Sequence, residues 1–346
     1  MSSLSASQRR QAKTLYMASV ASGERQSYQT PRGKVVQTAL KAAELLVLAA
    51  IYSPVSQLTL SPVYGSIPAS IHHQRLMIAA GLVAWIGKPA LKKHLPTNTA
   101  DLIPVLAFSI PTIQFFLFQQ SSRLGATYGP LVTEAFTYFP LVFLSVFCAA
   151  SLLDSLNLGQ FSEPVRNACP GVASYAIFSG AQKISTYAFK RRIGSSLIFT
   201  RSGLQLVLAT FYALLLPSRL TLLAIIPLLH SASLNVHVPF ERTTALLNRT
   251  LHANDYILIA RQESLTGYIS VLDNTKDGFR VMRCDHSLLG GEWLQQPKAT
   301  GAGLREPIYA VFAMLEAVRL VQLADQKQGP TIPDSQKNAL VMYARL

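Results

Sequence analysis

The residues best equipped for chemistry lie in the last third of the chain. Cys284-Asp285-His286-Ser287 sets a thiol, a carboxylate, an imidazole and a hydroxyl in a row. Neighbours in sequence cannot face one another as nucleophile, base and orienting acid, and no Gly-x-Ser-x-Gly elbow is present, so this is not a hydrolytic triad. One local cluster also offers too few ligands for a metal, and a hydrogen-bonded strand end is the expected role. Gly290-Gly291 and Gly301-Ala302-Gly303 do not lie between a strand and a helix at the spacing of a phosphate cradle, and read as turns. Cys148, Cys169 and Cys284 are too far apart for a disulfide framework or a metal knuckle. In the apolar two-thirds, Glu44, Glu134 and His230 are ionisable groups within hydrophobic runs, costly in lipid and often functional there. Glu44 and Glu134 fall near the ends of their runs, where snorkelling accounts for them.

The elements that must position these groups follow from composition. Of 346 residues, 50% are hydrophobic and 14% charged, against about a quarter charged in an ordinary soluble domain. Thirteen of the net +14 charges belong to residues 1–240. The one dense basic run, Lys190-Arg191-Arg192, has no zinc-finger, basic-zipper or aromatic RNA-binding motif beside it, so nucleic acid is excluded as a partner and a lipid bilayer is expected.

Crossing a hydrocarbon core takes about 20 mainly apolar residues in a helix. Six stretches approach this: 42–61, 75–91, 102–119, 131–153, 202–217 and 220–237, the last two joined as a hairpin at Pro217-Ser218-Arg219. Six spans with both termini in the cytosol place 16 Lys and Arg inside and only Arg75, Arg123 and Arg219 outside, which satisfies the positive-inside rule. Counting 171–189 as a span would move Lys190-Arg191-Arg192 and Arg201 outside, so that stretch is expected to be an interfacial or cytosolic helix. Residues 1–41 read as a basic flexible tail without a cleavable signal, and 42–237 as the membrane domain. Asn248-Arg249-Thr250 is a glycosylation sequon by pattern but follows the last span on the cytosolic side, so it should be unused.

From Asn254 the pattern alternates. Tyr256–Ala260, Gly267–Leu272 and Phe279–Cys284 predict an antiparallel meander, with a turn at Asp273–Gly278, and Leu288-Leu289-Gly290-Gly291 is expected to break it. Glu306-Pro307 is a good helix start, and apolar positions from Ile308 keep helical spacing to about Leu323. Breakers at Gly329–Asp334 lead to a further strand at Asn338–Val341.

The phrase Arg283-Cys284-Asp285-His286-Ser287-Leu288-Leu289-Gly290-Gly291-Glu292-Trp293, the helix opening Glu306-Pro307-Ile308-Tyr309 and the lead into Asn338-Ala339-Leu340-Val341 resemble the fungal membrane-attached spermidine/spermine synthase-like proteins, which are similar to polyamine aminopropyltransferases. The resemblance implies a multi-span α-helical membrane domain followed by a cytosolic α+β module over 254–346, similar to the N-terminal part of a spermidine synthase-like α/β domain. By that resemblance Asp285, Glu306 and Tyr309 would bind substrate, although Ala310 and Val311 stand where the family has His and Glu. Full-length relatives would use decarboxylated S-adenosylmethionine or S-adenosylmethionine. Met342-Tyr343-Ala344-Arg345-Leu346 stands where the family has its Gly-rich cofactor loop, so no cofactor, no catalytic residue and no activity are expected for this chain alone. A membrane scaffold or partner subunit, pairing with a second copy or a full-length relative, and a small-molecule transporter are the two other functional readings.

Overall fold

A computed structural model describes residues 31–95, 98–156, 163–285 and 287–294. The described part is mostly helical and carries one small antiparallel sheet. Its centre is α1, Pro31–Tyr64, a 34-residue helix that starts on a proline and contains Pro54 and Pro62. Proline suits the first turn of a helix, where its missing N–H would have no partner. Helix therefore already covers 31–41, the end of the stretch read as a flexible tail. Short helices α2 (Ser66–Ile71), α3 (His73–Ile86) and α4 (Lys88–Leu91) follow. Next come α5 (Leu102–Gln119), α6 (Ser121–Phe136), α7 (Tyr138–Asp154), α8 (Glu163–Arg192), α9 (Arg201–Leu215), α10 (Thr221–Leu234) and α11 (Glu241–His252). Helices α7, α8 and α9 pack on α1, α3 packs on α7, and α5 packs on α9 and α10.

The apolar run 131–153 is not one straight helix. Thr137 leaves helical geometry at φ −123° and ψ −84°, dividing α6 from α7. The stretch 171–189 lies within α8, which runs along α1 and seats Phe178 and Phe189 against the core. Among the described residues, three stretches are by length and composition long and apolar enough to cross a membrane, Val35–Tyr64, Thr99–Gln119 and Ser121–Asp154, while Arg201–Leu215 and Thr221–Leu234 are shorter apolar helices.

The sheet has the order β1 (Tyr256–Glu263), β2 (Tyr268–Asn274), β3 (Phe279–Cys284) and β4 (Ser287–Trp293), all antiparallel. The three expected strands and the turn after Asp273 are present. The expected break at Gly290-Gly291 is not: these glycines sit inside β4, opposite Met282 and Val281, after a register shift at Met282/Arg283. Extended backbone is open to glycine at the edge of a sheet, and the neighbours supply the packing. Trp293 meets Phe279 edge-to-face at 5.7 Å, and Phe279 meets Tyr256 at 6.4 Å. One polar row crosses three strands, with Arg280 bonded to both Asp273 oxygens at 2.6 and 2.9 Å and 3.9 Å from Glu292.

Candidate functional site

Two buried polar assemblies stand out among the described residues. One lies between α1, α3, α6 and α8. His73 at the start of α3 places Nδ1 2.6 Å from Glu134 Oε1 and Nε2 2.7 Å from Ser53 Oγ. Ser56 donates to the same Glu134 oxygen at 2.6 Å, and Gln182 of α8 donates to Ser53 Oγ at 2.8 Å. Tyr138 stacks on the His73 ring at 5.3 Å and donates to the Ala49 carbonyl at 3.0 Å. Glu134 is thus buried and paired rather than snorkelling at a helix end, while Glu44 and His230 are exposed. A buried carboxylate is stable only with such partners.

Serine, imidazole and carboxylate stand here in the order of a hydrolase triad. Ser53 is fully buried, however, and its hydroxyl is already hydrogen-bonded to His73 and accepts from Gln182. An apolar cavity of about 240 Å³ between α3 and α8 is lined by Gln74, Met77 and Gln182, which stand between it and Ser53. This network ties four helices together and presents no open nucleophile.

The second assembly joins the bundle to the sheet. Pro62 has no N–H, so the Leu58 carbonyl one turn earlier in α1 loses its helical partner. Arg201 Nε supplies one at 2.5 Å. Arg201 is the first residue of α9, capped by Thr200, whose Oγ1 accepts from the Gly203 N–H at 3.0 Å. Glu263 at the end of β1 reaches that helix start: its Oε2 accepts from the Arg201 backbone N–H at 2.8 Å and from Nη1 at 3.2 Å. A carboxylate against the first N–H groups of a helix is favoured by the helix dipole as well as by the hydrogen bond. Arg201 Nη2 donates to the Ser264 carbonyl at 3.0 Å, and the guanidinium lies 4.9 Å from the Tyr268 ring centroid. Both charged side chains are almost wholly buried, at 1% and 3% exposure.

On the Glu263 side of this pair lies a cavity of about 270 Å³, walled by Glu263, Tyr268, Arg261, Arg283, Asp285 and His237. Arg261 is committed to the end of the bundle, donating to the carbonyls of Val236 and Val238 and to Thr244 Oγ1. Burial lowers its basicity, partly offset by Tyr268 and Glu263. Burial likewise pushes the Glu263 carboxyl above the ordinary range against the lowering effect of Arg201, and raises Tyr268. The His237 ring stacks on Tyr268 at 5.0 Å. Glu263 Oε1 has no hydrogen-bond partner among the described residues.

Of the three residues expected to bind substrate, Asp285 is placed at this cavity, with its Oδ1 accepting from the Tyr268 N–H at 2.7 Å. Its backbone takes φ 50°, a turn conformation that aspartate tolerates, and its N–H bonds the Tyr268 carbonyl at 2.9 Å. Glu306 and Tyr309, together with His286 and Asn338–Val341, lie outside the described residues. Sequence reasoning passed over His73, Arg201 and Glu263. The available signals were an acid in an apolar run, which requires a partner, and Pro62, which leaves a carbonyl in need of a donor.

The chain is 47% identical over 302 residues to the N-terminal histidine N-methyltransferase of Emericella nidulans, an alignment covering 87% of this chain and 54% of that protein. The chain spans about half the length of the curated relative it matches. No protein-family profile matches the chain, and no solved structure is similar to it. This similarity overturns the resemblance to spermidine/spermine synthase-like proteins. Polyamine aminopropyl transfer by relatives, the inactive aminopropyltransferase-like chain, the scaffold and the transporter all give way with it. The physical reason lies in the motifs themselves. A β-meander and a Glu-Pro helix start are general solutions to strand pairing and helix capping and carry no substrate information, and the carboxylate of Asp285 holds the backbone of Tyr268. The expectation that relatives use S-adenosylmethionine accords with a relative that transfers methyl groups.

Proposed function

We propose that this chain is the helical and β-sheet portion of a methyltransferase that modifies the amino-terminal histidine of a polypeptide, with S-adenosylmethionine as methyl donor. The observation that carries this reading is the 47% identity over 87% of the chain to a protein of that activity. Among the described residues no strand leads through a glycine turn into a helix N-terminus, the arrangement that cradles a nucleoside cofactor. The described residues therefore do not form a site that fits the donor. Their part in the reading is to hold the polypeptide and to anchor the enzyme.

The anchoring proposal is a multi-pass helical membrane domain followed by the sheet. It rests on the three long apolar stretches and on the outward faces of the shorter helices. Leu82 and Ile86 of α3, Leu214 of α9, and Leu222, Ile226 and Leu229 of α10 are more than half exposed. Large apolar side chains exposed to this extent on several helices are unusual for a soluble monomer and ordinary for helices facing lipid.

The experiment is methylation of a histidine-initiated peptide by the native-length protein, using S-adenosylmethionine with an isotopically labelled methyl group and mass spectrometry of the peptide. Label on the first residue, lost when histidine is replaced by alanine, is the expected result. Label that never appears on the first residue overturns the reading.

A further inference from the structure

We infer that the slot between α3 and α8 holds one acyl chain of a bilayer glycerolipid, with the lipid's ester carbonyl at Ser174 and Trp85. The inference rests on the membrane reading above and not on methyl transfer, and it adds a specific lipid contact to that reading.

The slot exists because two helices are held apart. Helix α3 packs on α7 and α8 packs on α1, but α3 and α8 scarcely touch each other. Two bridges close its ends. At one, Gln182 Nε2 donates to Gln74 Oε1 at 3.1 Å and reaches Met77 Sδ at 3.8 Å. At the other, the Trp85 indole lies 3.7 Å from where a Cβ on Gly171 would be. Between the bridges the floor is Leu46 of α1 with Val142 and Val146 of α7. The outer lips are Leu82 and Tyr175, 53% and 63% exposed.

Size selects the occupant. Gln74 to Trp85 is about 16 Å of helix at about 1.5 Å per residue, close to the roughly 15 Å that one leaflet contributes to a hydrocarbon core of about 30 Å. The cavity holds about 240 Å³. Since a cavity of about 150 Å³ takes one benzene ring, this one takes about ten carbons in file. One acyl chain meets that limit, and the fused rings of a sterol are too bulky for it.

The polar anchor lies at the Trp85 end. Ser174 lines the cavity at 7% exposure. Its hydroxyl has no hydrogen-bond partner among the described residues, and it is not sealed off as the Ser151 and Thr221 hydroxyls are, so it opens on the cavity. Trp85 Nε1–H likewise has no partner among the described residues. It lies 3.8 Å from the Cβ position of Gly171, which precedes Ser174 by one turn on the same face of α8. Two donors in a mostly apolar wall call for an uncharged acceptor, which an ester carbonyl supplies. Lys88 stands 5.4 Å from the Trp85 ring and pairs with Asp154 at 2.6 Å, so this end has the aromatic and charged residues of a membrane interface, where lipid esters sit.

The test is photo-crosslinking of the full 346-residue chain in nanodiscs that contain a phosphatidylcholine with a diazirine at mid-chain, with adducts mapped by mass spectrometry. Adducts should concentrate on the slot residues Met77, Gly81 and Phe178, above the level on the outward face of α10 at Leu222 and Ile226. A Cβ on Gly81 would meet no atom within 4 Å. Gly81→Leu should therefore melt no lower than wild type while slot adducts fall to the α10 level. Ser174→Ala should lower them about threefold or more, from one lost hydrogen bond. Slot adducts no denser than those on α10, or unchanged in Gly81→Leu, overturn the inference and leave the membrane reading standing. Adducts unchanged in Ser174→Ala overturn the ester anchor. Adducts on neither the slot nor α10 overturn the membrane reading, and the inference with it. A diazirine sterol that labels the slot and displaces the phosphatidylcholine overturns the choice of an acyl chain.

Discussion

His73 Nδ1 and Glu134 Oε1 lie 2.6 Å apart with both side chains buried, so a helix that begins at residue 73 is pinned to one that ends at residue 136. Removing the carboxylate would strand the His73 ring and Ser56 without their acceptor. Breaking a buried pair from one side costs about 3 kcal/mol or more. Glu134→Ala should lose stability on that scale, and Glu134→Gln, which keeps an oxygen for Ser56 and His73, should lose distinctly less. Thermal unfolding in a fixed detergent compares them. Equal melting temperatures for wild type and Glu134→Ala would show that the network does not hold the bundle.

Gly129 of α6 lies against the Tyr64 ring at the end of α1, so closely that an added Cβ would collide with ring carbons. The ring is held on its other sides by Phe118, at 6.1 Å, and by Thr133, 3.4 Å from the hydroxyl. Gly129→Ala should therefore destabilise by about 1–3 kcal/mol as an overpacking change. Tyr64→Leu in the same background should recover part of it. Additive losses in the double variant would place the two residues out of contact.

Burial holds the Glu263 carboxyl above its ordinary value of 4.5, with Arg201 only partly opposing it. The native state then keeps that proton more tightly than the unfolded chain does. Its contribution is fully present below the unfolded value and is lost as pH rises through the raised native one. Comparing wild type with Glu263→Gln cancels the carboxylates they share. The wild-type melting temperature should fall relative to the variant as pH climbs through that window. A difference that stays flat, or grows in favour of wild type, refutes the direction of the shift.

The parts of this architecture that local pattern controls were legible in the sequence. Alternation over Tyr256–Ala260 and Phe279–Cys284, and the turn residues after Asp273, name strands and a hairpin because a strand exposes a period of two. The contacts that make the site were not. Arg201 counts in the sequence as one more basic residue beside an apolar run, and only the fold brings it to Glu263, 62 residues on, and to the carbonyl freed by Pro62. His73 sits at the boundary of an apolar run beside Arg75, where it reads as a loop residue until Glu134 is placed against it. β4 was missed because Gly290-Gly291 signals a turn locally, whereas pairing with β3 and the Phe279–Trp293 contact decide the outcome. In each case long-range partners overrode a local preference, which propensity alone cannot anticipate.

The outward apolar faces give the membrane proposal its own test. Ile226 is 72% exposed and Leu222 66% exposed on the same side of α10, one turn apart. In water such a face gains from polar substitution, whereas in lipid a charge at mid-helix costs about 2.5–3.5 kcal/mol on insertion scales. Ile226→Lys should therefore lower the fraction of chain that resists alkaline carbonate extraction from membranes. Ile226→Leu should leave it unchanged. Wild-type chain recovered wholly in the soluble fraction, or an Ile226→Lys chain that partitions as wild type does, removes α10 from the bilayer and returns its apolar face to the question of a protein partner.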